Sequence, residues 1–124
     1  MPRYLSEEWI EEADSALRAS ELCAPDGKRF AVQQHVGEVV FHMAFDADGA
    51  RVCSGPAVEP SVVLSQSWDT AVAIARGELS AEEAVLNGQT TVEGDPLALL
   101  SHHMILDRAS DVFADVRART VWDS

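Results

Sequence analysis

The pattern that most constrains the fold is an alternation of side chains over residues 30–45, interrupted by Gly37-Glu38. A two-residue loop here, with glycine supplying the positive φ of a tight turn, would join two antiparallel strands. Eight side chains would then share one face, and seven of them are apolar: Phe30, Val32, Gln34, Val36, Val39, Phe41, Met43 and Phe45. A slip of one residue would mix this set with the other face. The pattern therefore predicts a hairpin in this register, with Gln34 as the exception on its apolar face.

A second turn signal extends this hairpin. Asp48-Gly49 predicts a tight turn that places Phe45 opposite Val52, and Asp46 opposite Arg51 as a cross-strand pair of opposite charge. The first three strands would then form an antiparallel meander.

Between residues 77 and 100, the pattern predicts a short helix, a strand, a Gly-Asp turn and another helix. Ser80 would cap the short helix, and Glu83, three residues later, would complete a capping box. Gly94 would let the chain turn after the strand. Asp95 would cap the following helix, which has proline at its first position, where the missing N–H costs nothing.

This stretch resembles the signature of the sterol carrier protein 2-like family, a Gly-x-Leu-Ser-x-x-x-Ala-x-x-x-Gly-x-x-x-x-x-Gly-Asp run. The matching residues are Gly77, Leu79, Ser80, Ala84, Gly88, Gly94 and Asp95. The resemblance extends over most of residues 30–119. It implies an α+β fold in which a five-stranded, largely antiparallel sheet has helices packed on one face and encloses an apolar cavity. It also implies binding without catalysis, because the family is mostly made of lipid-binding modules.

The length of 124 residues is typical of one domain. Within residues 1–124 we expect four segments in order: an N-terminal helix in 1–24, starting after Ser6; a strand meander in 30–66; helices and the last strand in 67–94; and C-terminal helices in 95–120. The last segment is expected to break at residues 107–110, where polar residues interrupt the apolar pattern.

Composition and net charge argue against some classes of binding partner. With 21 acidic and nine basic residues, the formal net charge is −12, which argues against nucleic acid and against anionic membranes. The sequence has no apolar run of membrane-spanning length and no signal-peptide pattern, so we expect no integral membrane association and a cytoplasmic protein. Cys23 and Cys53 form neither a CxxC motif nor a disulfide framework and are expected to be reduced thiols.

The sequence pattern does not indicate a catalytic site or a metal-binding site. His35 and His42 share the polar face of the predicted hairpin without lying directly opposite each other. Neighbours on a helix, such as His102 and His103, point about 100° apart, which is poor for joint metal ligation. No nucleophile motif is present. We therefore predict no catalytic residue, metal or cofactor. An enzyme that uses His102 or His103 as an acid–base group is the weakest alternative.

The candidate ligand site is a set of apolar side chains that the resemblance would place around the cavity: Phe41, Met43, Trp68, Ile74, Val85, Leu86, Leu100, Met104, Ile105 and Phe113. Methionine suits such a wall because it adapts to ligands of varied shape. The ligand would be a hydrophobic small molecule: a fatty acyl chain or acyl-CoA, a sterol-like molecule or a polyketide-like lipid. The competing interpretation is a protein-interaction module, forming a homodimer or docking a partner, in which the same residues fill an ordinary core.

Overall fold

The computed structural model describes residues 3–24, 27–95, 97 and 103–122. Within them lie five helices and five strands. In chain order they are α1 (Glu7–Ala19), β1 (Phe30–Val36), β2 (Val39–Asp46), β3 (Gly49–Ser54), β4 (Val62–Gln66), α2 (Trp68–Ala75), α3 (Ala81–Leu86), β5 (Thr90–Gly94), α4 (His103–Val112) and α5 (Ala114–Ala118).

The strands form one sheet in the order β3-β2-β1-β4-β5. Strands β1 and β4 are parallel, and every other neighbouring pair is antiparallel. The chain passes from edge strand β3 to β4 through a crossover loop, residues 55–61, which covers part of one face of the sheet. Its backbone is tied to the sheet at both ends: the Gly55 amide donates to the Val40 carbonyl at 2.8 Å, and the Ser61 amide to the Ala31 carbonyl at 2.9 Å. The expected α+β fold with a largely antiparallel sheet is confirmed.

The first hairpin has the predicted register. Phe30 pairs with Phe45, Val32 with Met43, and the remaining pairs follow in step to the turn at Gly37-Glu38. Gly37 has φ +59°, the left-handed conformation that a tight turn requires. The faces predicted from the alternation are therefore the faces of the folded hairpin.

The second turn lies one residue earlier than predicted. Ala47-Asp48 form the turn, and Asp46 pairs with Gly49. One carboxylate oxygen of Asp46, Oδ1, accepts hydrogen bonds from the amides of Asp48 at 2.9 Å and Gly49 at 3.1 Å. An aspartate that binds the amides following it stabilises a turn at those residues. This side-chain cap sets the turn position in place of the Asp-Gly pair.

The earlier turn shifts the predicted pairing of β2 with β3. Val52 lies opposite Met43, so the predicted Phe45–Val52 pair is wrong. The shift on β3 is two residues, which keeps every side chain on its predicted face. Arg51 is no longer directly opposite Asp46, yet its guanidinium Nη1 still lies 3.7 Å from the Asp46 carboxylate.

The core lies between the helices and one face of the sheet, here called the inner face. Helix α1 lies against β3, with Ala13 and Leu17 completely buried. Asp14 Oδ1 accepts a hydrogen bond from the Val52 amide at 2.9 Å. This contact pairs a backbone N–H donor on an edge strand. Unpaired donors on an edge strand can otherwise form hydrogen bonds with a strand of another protein chain.

Serine N-caps begin three helices, and the predicted cap of α3 at Ser80 is confirmed. The hydroxyl oxygens of Ser6, Ser67 and Ser80 each accept a hydrogen bond from the amide three residues later, at 3.2, 3.2 and 3.0 Å respectively. Helix α1 begins directly after Ser6 and ends at Ala19, within the segment 1–24 in which a helix was expected.

Gly94 lies where β5 approaches the start of β4. Its φ is +98°, and a Cβ atom added there would lie 2.8 Å from the Ser61 carbonyl oxygen. Both observations require glycine. Immediately after it, Asp95 Oδ1 accepts from the Leu97 amide at 3.0 Å, as expected for a helix cap.

The predicted break at residues 107–110 is wrong, because α4 continues through them to Val112. Ile105 and Ala109, four residues apart on one helix face, are both buried in the core. Their burial, together with the high helix propensity of Leu106, Arg108 and Ala109, keeps the helix continuous through the polar residues. The interruption lies at Phe113, between α4 and α5.

Candidate functional site

The inner face of the sheet has two ends that differ in burial. At the closed end, near α1, the inward side chains other than the half-buried Met43 are almost fully buried: Phe30, Val32, Phe45, Val52 and Val62. At the open end, further along the same strands, Val36, Phe41 and Thr90 are still buried. Five inward side chains there are only half-buried: Gln34, Val39, Leu64, Gln66 and Val92. A sheet face that packs against helices normally buries its apolar residues. The half-exposed apolar side chains of the open end therefore mark the candidate site.

The predicted cavity residues fall into several groups. Five belong to the core or pack against it: Phe41, Met43, Trp68, Ile105 and Phe113. Ile74 on α2 is half-buried. Three are exposed, with 40% of Val85, 85% of Leu86 and 63% of Met104 accessible to solvent. Leu100 lies outside the described residues. The structure thus places in or against one core the members on β2, Trp68 on α2, Ile105 on α4 and Phe113 after it, and leaves Met104 and those on α3 outside.

Helix α3 shows why its apolar residues separate from the others. Ala84 is completely buried, so the short helix docks through this small side chain. Residues one and two positions later on a helix point about 100° and 200° away. Val85 and Leu86 consequently face solvent. The same geometry places Met104 outside while its neighbour Ile105 is buried.

A chain of polar side chains crosses the open end from β5 to β1. The Thr90 hydroxyl donates to Gln66 Oε1 at 2.8 Å, and Gln66 Nε2 donates to Gln34 Oε1 at 3.3 Å. Thr90 is buried, with 4% of its surface exposed. Sequence reasoning did not assign these residues to the site. The available signal was Gln34, the polar exception on the apolar face, but its partners depend on how β4 pairs with β1 and β5.

Two of the four histidines, His35 and His42, lie on the outer face of the sheet, opposite the inner face. The Ala57 amide of the crossover loop donates to Gln33 Oε1 at 3.0 Å, so the Gln33 amino group is the donor in its 2.9 Å contact with His35 Nε2. His42 Nδ1 lies 2.9 Å from the Gly55 carbonyl oxygen, which can only accept. His42 thus contacts the loop directly, whereas His35 contacts Gln33, which binds the loop.

Another concave region lies between α1 and β3. This open cleft of about 360 Å³ is lined by Glu7, Ile10, Glu11, Asp14, Val52, Cys53 and Ser54. Three carboxyl groups in its wall make it unsuited to an apolar ligand. The described residues contain no group of three or more His, Cys, Asp or Glu side chains arranged to hold a metal ion. Cys53 is half-buried, Cys23 is exposed, and both are free thiols.

His102 lies outside the described residues, and His103 is the first residue of α4. Neither imidazole is therefore placed relative to the open end.

An aromatic cluster forms where the two ends of the described chain meet. The Tyr4 ring lies 5.1 Å from that of Trp9, 5.4 Å from Trp68 and 4.9 Å from Trp122, measured between centroids. The Tyr4 amide donates to the carbonyl of Val121 at 2.9 Å. Burial raises the pKa of Tyr4 to about 12, against a smaller opposing effect of the Arg117 charge. The cluster therefore holds the phenol neutral inside the fold.

No helix in the described part of the chain is long and apolar enough to cross a membrane. No protein-family model matches the sequence, and no curated protein matches it either. Solved structures do match, at low sequence identity.

The fold is shared with sterol carrier protein structures over most of their length. A crystal structure of sterol carrier protein 2 aligns with a TM-score of 0.64 and 16% identity, covering 93% of this chain and 98% of that one. A palmitated sterol carrier protein 2-like protein from Aedes aegypti, solved by NMR, aligns with a TM-score of 0.51 and 22% identity, covering 82% and 93%.

A stereoselective inverting sec-alkylsulfatase from a Pseudomonas species also matches, with a TM-score of 0.57 and 13% identity. The alignment covers 78% of this chain but only 15% of the sulfatase, so it concerns a small part of that enzyme. At these identities the similarity concerns architecture alone. The chain has the sterol carrier protein 2-like fold.

Proposed function

We propose that this protein binds a hydrophobic small molecule, without catalysing a reaction on it, against the open end of the inner face. The observation that carries the proposal is the fold, shared with sterol carrier protein 2 over nearly the whole of both chains. A protein of the same fold is known in a palmitated form. A fatty acyl chain is therefore the first ligand class to test, followed by sterol-like and polyketide-like molecules.

The open end supplies the surface that such a ligand would cover. Val39, Leu64 and Val92 are half-buried on the inner face, where they lie beside the core. Each square ångström of apolar surface removed from water contributes about 25 cal/mol, so covering these side chains favours binding. Phe113, half-buried at the margin of the core, is the predicted site residue that we expect to contact the ligand.

A non-catalytic role agrees with the positions of the described histidines. His35 and His42 lie on the outer face, hydrogen-bonded in the network that holds the crossover loop. A general base must lie within hydrogen-bond reach of the proton that it removes. These two imidazoles are on the wrong side of the sheet to act on a molecule at the open end.

Ligand binding is tested by thermal unfolding with a panel of fatty acids, acyl-CoA and steroids. A ligand at a hundred times its dissociation constant stabilises the fold by about 2.7 kcal/mol, which raises the melting temperature of a domain of this size by several degrees. Leu64→Trp adds bulk at the open end and should reduce the shift. Val58→Trp, at a 93% exposed position of the crossover loop, is the matched control and should preserve it.

Native mass spectrometry and organic extraction of the purified protein would identify a ligand retained from the cell. The proposal is wrong if no member of the panel shifts the melting temperature and the purified protein yields no extractable lipid. Equal shifts in wild type and Leu64→Trp would show that a ligand binds elsewhere.

The second candidate function is a protein-interaction module, including a homodimer. The exposed apolar side chains of Val85, Leu86, Leu97 and Met104 favour it. Sedimentation velocity over a range of concentrations separates the two. A dimer that Leu86→Glu dissociates, together with a failed ligand panel, would support the interaction module.

A further inference from the structure

The polar chain at the open end has a direction, and this direction bears on the chemistry of the ligand. Thr90 Oγ1 donates to Gln66 Oε1, and Gln66 Nε2 donates to Gln34 Oε1. The amide oxygens of both glutamines therefore accept hydrogen bonds within the chain. The amino group of Gln34, with two N–H donors, remains at its end, and no partner for it is found in the described part of the protein.

The Gln34 amino group belongs to the apolar surface of the open end. On the inner face, Gln34 lies opposite Phe41 of β2 and opposite Leu64 of β4. A ligand that covers Leu64 would also remove water from Gln34. Burying an N–H donor without an acceptor costs about 1–3 kcal/mol, so a ligand that presents an acceptor at this point is favoured over one that does not.

The charges around the open end limit what this acceptor can be. None of the inner-face positions of the five strands carries a charged side chain. The protein as a whole has a formal net charge of −12. A buried carboxylate requires a paired positive charge, whereas a neutral oxygen requires only the hydrogen bond.

We infer that Gln34 binds the polar end of the ligand and that this end is an uncharged oxygen acceptor, such as a ketone, ester or alcohol oxygen. The inference rests on the function proposed above and adds the chemistry of the head group. Gln34 is the contacting residue. Gln66 and Thr90 are positioning residues, because they orient the Gln34 amide with its amino group free.

The test compares three ligands with matched chains: 2-dodecanone, dodecane and dodecanoate. Their affinities are measured at pH 8 by displacement of Nile red from wild type, Gln34→Met and Gln33→Met. Methionine preserves the length of glutamine and removes its hydrogen bonds. Gln33→Met makes the same change one residue away, on the outer face.

In Gln34→Met, we expect the affinity for 2-dodecanone to fall about two- to tenfold, the range of one net hydrogen bond. The affinity for dodecane should rise, because this ligand no longer buries an N–H donor without an acceptor. Gln33→Met should change neither. Dodecanoate should bind wild type at least about tenfold more weakly than the ketone, because its charge has no partner.

The positioning role of Thr90 is tested by measuring ligand binding to two further variants. Thr90→Val should weaken 2-dodecanone binding without affecting dodecane, and Thr90→Ser, which keeps the hydroxyl, should restore it. Circular dichroism and thermal unfolding confirm that each variant is folded.

The outcomes distinguish this inference from the proposed function. If dodecane binds but 2-dodecanone is unaffected by Gln34→Met, or dodecanoate binds more tightly than the ketone, the head-group inference is wrong and the apolar site stands. If none of the three ligands binds wild type, the proposed function is wrong, and the inference fails with it.

Discussion

The closed and open ends of the inner face are built on the same strands, yet they differ in what they can do. At the closed end, Phe30 and Phe45 stack with ring centroids 6.3 Å apart and are almost completely buried. At the open end, Leu64 and Val92 remain half-exposed beside Gln34. Close packing stabilises a fold but leaves no room for another molecule. One alternating sequence pattern can therefore form both a core and a candidate binding surface. Which of the two forms at each end depends on how much of that end of the sheet the helices cover.

Paired truncations at the two ends test this comparison most directly. Phe45→Ala removes a fully buried ring and should lower the free energy of unfolding by about 3–5 kcal/mol. Leu64→Ala, at a half-buried position, should cost only about 1 kcal/mol because less apolar surface is lost. Urea denaturation measures both. Equal losses would show that the open end is packed as tightly as the closed end.

Gly94 tests the closed end at edge strand β5, where it pairs with Val62. Gly94→Val should cost about 3 kcal/mol, since the new side chain meets the Ser61 carbonyl in a backbone conformation that suits only glycine. Gly88→Ala is the control: φ there is +77° but nothing lies within 4 Å, so only the conformational cost of about 1 kcal/mol applies. Equal denaturation midpoints for the two variants would contradict the close approach of β5 to β4.

The pKa of the Tyr4 phenol measures whether the aromatic cluster excludes water. The folded state holds the phenol proton more tightly than the unfolded state, so stability is fully present below pH 10 and is lost as the pH rises towards 12. At about 1.4 kcal/mol per pKa unit, the loss approaches 2–3 kcal/mol. Tyr4→Phe should remove this component of the pH dependence.

Direct measurement of this pKa is simple because Tyr4 is the single tyrosine of the sequence. The tyrosinate absorbance band therefore titrates one group. A midpoint near pH 10 in the folded protein would mean that the cluster is open to water.

Local patterns predicted part of this fold well. The register of the first hairpin follows from period-two alternation and a two-residue loop, both of which are local. The three serine caps follow from a hydroxyl that reaches an amide three residues away. The turn at Ala47-Asp48 was missed because a side chain, Asp46, overrode the glycine signal.

The candidate site was less accessible to sequence reasoning. The family resemblance pointed to Leu86 and Met104 as candidates, but neither it nor apolar periodicity can say which apolar face of a helix finds a partner. In the structure a small residue, Ala84, docks α3, and Leu86 remains in solvent. Conversely, Gln34 and Gln66, 32 residues apart, form a hydrogen bond that no short-range pattern predicts.

The sequence by itself determined the two faces of the first hairpin, the positions of the serine helix caps and the turn of the chain at Gly94. Each of these depends on steric or hydrogen-bonding rules within a few residues. Only the tertiary structure decided the parallel pairing of β1 with β4, the path of the crossover loop and the polar chain through Gln66. These features join distant segments, whose encounter depends on the summed burial of the whole core. The open end belongs to this second group, since its exposure is set by helices that pack from elsewhere in the chain.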